Sequence, residues 1–184
     1  MDNYHNNDNG NMNARRPMLT GMFADRNSTE KAYRELQERG YSNDEINVVM
    51  SDETRKKHYS DHNDHSDLGN KAAEGAGKGS AIGGTIGAIA GVIAAIGTSV
   101  VIPGLGLIIA GPLAAGLAGA GAGGIAGGII GALVGWGIPK ERAEKYHSGI
   151  ENGHVVLGVH PRNEDDAEYL ERRWKEHNGV EVYR

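Results

Sequence analysis

The stretch that decides the fold is PMLTGMFADRNSTEKAYRELQERGYSNDEINVVM, residues 17–50. Pro17 to Ala24 is a short apolar run typical of a strand, and Glu45 to Met50 ends in a second, β-branched run. Between the two runs, apolar residues at helical spacing predict a helix that ends at Gly40. The apolar face of that helix consists of Ala32, Tyr33 and Leu36. The stretch therefore predicts a βαβ unit.

The start of the first helix has two candidate capping residues. Asn27 precedes Glu30 by three residues, which is the spacing of a capping box, and Ser28 is an equally good cap. We expect one of these two residues to accept a hydrogen bond from the first turn.

A second unit of the same kind lies near the C-terminal end of the sequence. Pro139 predicts the start of a helix, residues 154–160 form an apolar run typical of an inner strand, and 163–166 place acids at the start of another helix. Asn178-Gly179 ends that helix, and residues 180–183 predict a short last strand. The apolar faces consist of Ala143, Tyr146 and Ile150 in one helix and of Ala167, Leu170 and Trp174 in the other.

Two βαβ halves predict an α+β fold, namely a ferredoxin-like sandwich in which a four-stranded antiparallel sheet carries its helices on one face. We expect a long Gly/Ala-rich helical hairpin to be inserted between the second and third strands. The predicted segments are a disordered Asn-rich tail at 1–16, the first half of the domain at 17–51, a charged His-rich linker at 52–78, the hairpin at 79–138 and the second half at 139–184.

Both halves resemble the bacterial general stress protein domain family (YflT type, general stress protein 17M-like), in which the halves likewise bracket a Gly-rich hydrophobic segment. The residues that carry the resemblance are Met22 to Asp25, Ala32, Leu36, Gly40, Tyr41, Ile46 to Met50, Gly137 to Pro139, Glu141, Ala143, Tyr146, Gly149, Gly153, Val155 to Val159, Ala167, Leu170 and Gly179. The resemblance implies stress-associated expression and brings no catalytic residues with it.

The inserted tract is the strongest signal in the chain. From Gly79 to Pro139 there is no Asp, Glu, Lys, Arg or His. Glycine is unusually frequent in the chain, with 29 of its 184 residues. Two rows of glycines recur at every fourth residue, which places each row on one stripe of a helix. The rows consist of Gly79, Gly83, Gly87 and Gly91, and of Gly119, Gly123, Gly127, Gly131 and Gly135. Such stripes predict close helix packing and homo-oligomerisation.

We interpret the tract as one helix from about residue 80 to 101, an apolar connection, and a second helix from about 112 to 136. A helix of 22 residues, such as the first, is roughly 33 Å long, which matches a bilayer core of about 30 Å. Basic residues flank both ends of the tract, so we expect a membrane hairpin with the α+β domain in the cytoplasm. The alternatives are a cytoplasmic homo-oligomeric shell or ring with the hairpins in its core, and a pore.

Other patterns are weak. The absence of Cys excludes disulfides and thiol chemistry, and an isoelectric point near 5.9 argues against a nucleic-acid partner. A G-x-G-x-x-G match at 119–124 lacks the strand that a dinucleotide site requires. The linker residues His58, Asp61, His62 and His65 have the spacing of a metal site, but a solvated linker explains them better. We therefore expect that the chain is not an enzyme and that it binds no cofactor, no metal ion and no small-molecule substrate.

Overall fold

The computed structural model describes residues 17–59, 100–102, 106–114 and 128–184. Within these residues, a six-stranded sheet carries helices on both faces. The elements are β1 (Leu19–Phe23), α1 (Arg26–Glu38), β2 (Ile46–Ser51), α2 (Asp52–His58), β3 (Val100–Ile102), β4 (Leu107–Ala110), α3 (Gly128–Gly135), α4 (Lys140–Glu151), β5 (Val155–Val159), α5 (Glu164–Glu176) and β6 (Val180–Tyr183). A short 3-10 turn, Asn43–Glu45, precedes β2.

The strand order is β3-β4-β2-β5-β1-β6, and every pairing is antiparallel. Strand β5 lies at the centre, where Val159 is paired with Leu19 of β1 and with Ile46 of β2. The predicted α+β class is therefore confirmed, but the sheet has six strands rather than the expected four.

Both predicted βαβ units are present, with one correction at a helix start. The cap of α1 is Asp25, whose side chain accepts a hydrogen bond of 2.9 Å from the Ser28 backbone N–H, rather than Asn27 or Ser28. At the other end of α1, Gly40 has a φ of +79° directly after the last helical turn, as its predicted position requires. In the second unit, Asn163 caps α5 by accepting from Asp166 N–H.

The expectation that the helices lie on one face is wrong. Leu19 and Phe23 of β1 pack in a core with α1 and α5, whereas Met22, on the other side of the same strand, packs in a second core with α3 and α4. Every residue of β1 and β5 is buried, as in strands covered on both faces. The continuous apolar runs of these strands therefore reflect burial on both faces.

The middle of the inserted tract also differs from its prediction. Val100 and Val101, placed at the end of a helix, belong to β3, and the expected connection contains β4. Strand β4 pairs with β2 over four positions, from Val48 with Ala110 to Ser51 with Leu107. The physical reason is that β2 would otherwise end the sheet with unpaired backbone groups, which a short apolar strand pair can satisfy.

Asn47 and Gly111 attach the tract to the sheet beyond β4. The Asn47 side chain is buried, donates to Gly158 O at 3.2 Å and accepts from Leu113 N–H at 2.9 Å. Gly111 has a φ of +97°, and a Cβ at this residue would lie 2.2 Å from Ile46 O. The chain therefore leaves β4 through a turn that is packed against the backbone of β2.

Replacing Asn47 with alanine is expected to lower the free energy of unfolding by about 1–3 kcal/mol, because it leaves the buried Gly158 carbonyl and Leu113 N–H without this partner. Urea denaturation measures the change. Asn27→Ala is the control, since Asn27 is exposed in the first turn of α1 and should change stability by less than about 0.5 kcal/mol. Equal effects of the two substitutions would contradict the anchoring role of Asn47.

Several predicted segments fall largely outside the described residues. The tail at 1–16 does so entirely, as do residues 60–99 of the linker and tract. The start of the predicted linker forms helix α2, which Ser51 caps and in which Asp52 pairs with Arg55 and Lys56. The helical part of the tract that is described consists of a turn at 112–114 and helix α3.

Candidate self-association surface

Helix α3 presents two different faces. Ile129, Ala132 and Leu133 are buried in the core that α3 shares with α4 and the sheet. On the opposite side Val134 and Gly135 are exposed. Ile129, Ala132 and Leu133 therefore attach the helix to its own domain, and the side that carries the glycines points outward.

The outward face of α3 is formed by Gly131, Val134 and Gly135. A Cβ at Gly131 or Gly135 would meet no described atom within 4 Å, and the Val134 side chain is 43% exposed. The two glycines lie one turn apart on one stripe. This face is apolar and lacks side chains at two positions, so the backbone of another helix can approach it closely.

Local interactions end α3 at a defined point and join it to α4. Gly137 has a φ of +85°, and the Ile138 N–H donates to Leu133 O at 3.1 Å. Pro139 directly precedes α4, which packs against α3. The outward face is thus held at a fixed angle to the domain.

The structure places two of the predicted packing residues and brings them onto one face. These are Gly131 and Gly135. The other predicted packing residues lie outside the described residues; they are Gly79, Gly83, Gly87, Gly91, Gly119, Gly123 and Gly127.

Two other features considered from the sequence are the histidine-rich linker and the membrane hairpin. His58 ends α2 and is exposed, while Asp61, His62 and His65 lie outside the described residues. The described part of the chain contains no group of three or more His, Asp or Glu side chains that could hold a metal ion. Among the helices that the structure describes, none combines the length and the apolar character that a bilayer crossing needs.

The main polar cluster lies on the opposite layer, between α1 and α5. The buried carboxylate of Glu35 accepts from Tyr169 Oη at 2.9 Å and from Arg173 Nε at 2.9 Å, and it lies 3.0 Å from His177 Nε2. Arg173 contacts the same carboxylate through a second guanidinium nitrogen. One side chain of α1 thus joins three side chains that follow each other along α5 and its end.

The Glu35 cluster is suited to holding helices together. Burial raises the pKa of Glu35, but the hydrogen bonds from Arg173, His177 and Tyr169 outweigh it and lower that pKa to about 2. The carboxylate is therefore ionised at neutral pH and is occupied by its partners. A group in this state is a poor general base, since a base needs a pKa near the working pH.

A second buried carboxylate, Asp166, links the same two helices. It accepts from Tyr41 Oη at 2.9 Å and pairs with Arg39 at 2.9 Å. Burial and the hydrogen bond to Asp166 raise the pKa of Tyr41 to about 12. The Arg39 guanidinium lies 3.8 Å above the ring of Tyr169, which connects this group to the Glu35 cluster.

Sequence reasoning missed Glu35, Asp166 and Asn47. For Glu35 there was a signal, because it lies three residues after Ala32 and next to Leu36, on the apolar stripe of α1. A charged residue on such a stripe is rarely buried without a partner. The partner itself could not be read, since Arg173 lies 138 positions away.

Comparison with protein families, with curated proteins and with solved structures found no match to this chain.

Proposed function

We propose that this chain is a non-enzymatic structural or interaction protein that assembles with copies of itself through the glycine face of its inserted tract. The observation that carries the proposal is the outward face of α3, where a Cβ at Gly131 or Gly135 would meet no described atom within 4 Å and the neighbouring Val134 is exposed. In water, glycine costs a helix about 1 kcal/mol relative to alanine. Glycine at two successive turns is consistent with a close helix contact that offsets this cost.

We propose that the tract is covered by protein rather than by lipid. In a two-span hairpin the connection at 98–112 would lie across a bilayer core of about 30 Å from the domain. The pairing of β4 with β2 supports a tract that is covered by protein, because it makes this connection part of the domain sheet. In addition, thirteen residues separate Ala114 from Gly128, whereas a helical crossing takes about 20 residues in each direction.

We also propose that β1, α1, β2, β5, α5 and β6 form a ferredoxin-like unit. The partial order β2-β5-β1-β6, with all neighbours antiparallel, supports this assignment. In this arrangement the tract adds β3 and β4 beside β2 and α3 on the face opposite α1 and α5. The association with stress stays a prediction from the sequence.

Replacing Gly131 with leucine is expected to stabilise helix α3 in the single chain and to weaken the assembly of several chains. Leucine favours a helix by up to about 1 kcal/mol over glycine, and a Cβ at this position meets no described atom of the same chain within 4 Å. In an assembly the same side chain keeps the partner helix away. Light scattering after gel filtration should therefore show a smaller mass for Gly131→Leu at equal concentration.

Ser148→Leu is the matched control, because Ser148 is exposed on α4 and the change adds a side chain of the same kind outside the glycine face. It should leave the mass unchanged.

Separation of the full chain into membrane and supernatant fractions without detergent tests whether protein or lipid covers the tract. A mass unaffected by Gly131→Leu would exclude the glycine face, and recovery only in the membrane fraction would restore the bilayer arrangement.

A further inference from the structure

A second surface carries exposed charges that lack an ion-pair partner among the residues that the structure describes. Six exposed charged side chains on the α1–α5 layer form no ion pair with a described residue, whereas most of their charged neighbours do. These six are Lys31, Arg34, Glu38, Asp165, Glu168 and Arg172.

The two helices run in opposite directions. Arg39, at the end of α1, pairs with Asp166 in the first turn of α5, while Trp174 near the end of α5 donates to Ala32 O at 3.3 Å. The early turns of α1 therefore lie beside the late turns of α5. This arrangement brings the three basic residues toward one end of the layer and the three acidic residues toward the other.

We call these the basic end (Lys31, Arg34 and Arg172) and the acidic end (Glu38, Asp165 and Glu168). Lys31 and Glu38 are seven residues apart along α1, which is about 10 Å. That separation equals about one Debye length at moderate ionic strength, so each end presents its own sign of charge to an approaching surface. The layer is therefore complementary to its own copy turned end for end.

We propose that the α1–α5 layer binds the same layer of a second copy. A two-fold axis between the two layers, perpendicular to the helices, places the basic end of each copy over the acidic end of the other. The Glu35 and Asp166 clusters hold α1 and α5 in one relative position, so the charges are already arranged before the copies meet. The contact is independent of the glycine face, which lies on the opposite side of the sheet.

The test is the mass of the full chain measured by light scattering at 50 mM and at 1 M NaCl. Because salt screens exposed charges, we expect the mass at low salt to be at least twice the mass at high salt. The double variant Lys31→Glu, Arg34→Glu should show the high-salt mass in both buffers. The matched control, Lys57→Glu with Lys140→Glu, changes the net charge equally at exposed sites on α2 and α4 and should behave like the unchanged protein.

A charge exchange makes the test specific. Asp165→Lys with Glu168→Lys should also lose the low-salt mass, and mixing this variant with the Lys31→Glu, Arg34→Glu variant should restore it through mixed pairs. A mass that does not depend on salt, a control that loses mass, or a mixture that stays dissociated would overturn the proposal. Association through the glycine face persists at 1 M NaCl and responds to Gly131→Leu, so the failure of one surface is distinguishable from the failure of the other.

Discussion

Replacing Gly111 with alanine is expected to lower the free energy of unfolding by about 3 kcal/mol or more. Two costs add at this residue. The φ of +97° is strained for any residue with a Cβ, and the new methyl carbon would lie 2.2 Å from Ile46 O and 3.0 Å from the Asn47 Cα. Both obstacles are backbone atoms of β2 or its start, so they cannot move aside as a flexible side chain would. Urea denaturation monitored by circular dichroism measures the loss.

Gly106→Ala separates the two costs of Gly111→Ala. Gly106 also has a positive φ, of +59°, but a Cβ there meets no described atom within 4 Å. It should therefore show only the conformational cost, about 1 kcal/mol. If both substitutions lower the free energy of unfolding by the same amount, β4 does not pack against β2 and the tract is not attached to the sheet at Gly111.

Replacing Glu35 with glutamine is expected to lower the free energy of unfolding by about 2–3 kcal/mol. Removing one partner of a buried ion pair costs about 3–5 kcal/mol; here the cost is lower, because the Arg173 side chain is 34% exposed to water and also pairs with Glu176. Glu144→Gln, at an exposed position of α4 outside the α1–α5 layer, is the control and should change stability by less than about 0.5 kcal/mol.

The effect of Glu35→Gln should depend on pH in a defined direction. The pKa of Glu35 is lowered from 4.5 to about 2 in the folded protein. The carboxylate therefore contributes its full stabilisation above pH 4.5, and this contribution is lost as the pH falls toward 2. Denaturation curves of both proteins between pH 6 and pH 2 should converge at the acid end. A constant difference over this range would mean that the ion pair does not stabilise the fold.

The local elements could be predicted because their signals lie within a few residues. Gly40 ends α1 through its positive φ, and the apolar stripe of Ala167, Leu170 and Trp174 in α5 is buried as the helical period requires. The same reasoning placed Gly131 and Gly135 on one stripe of a helix. It failed at 100–110, where an uncharged, β-branched stretch between helix breakers is compatible with a loop, a helix end or a strand.

The sequence by itself determined the α+β class, the two βαβ units and the separation of a charge-free glycine tract from the charged domain. Only the tertiary structure decided that β4 joins β2, that helices cover both faces of the sheet, and that Glu35 meets Arg173. Periodicity and capping are properties of neighbouring residues, so they are visible in the chain. Pairings such as Ser51 with Leu107 depend on which surfaces meet across dozens of residues, because a short apolar strand has the same pattern wherever it docks.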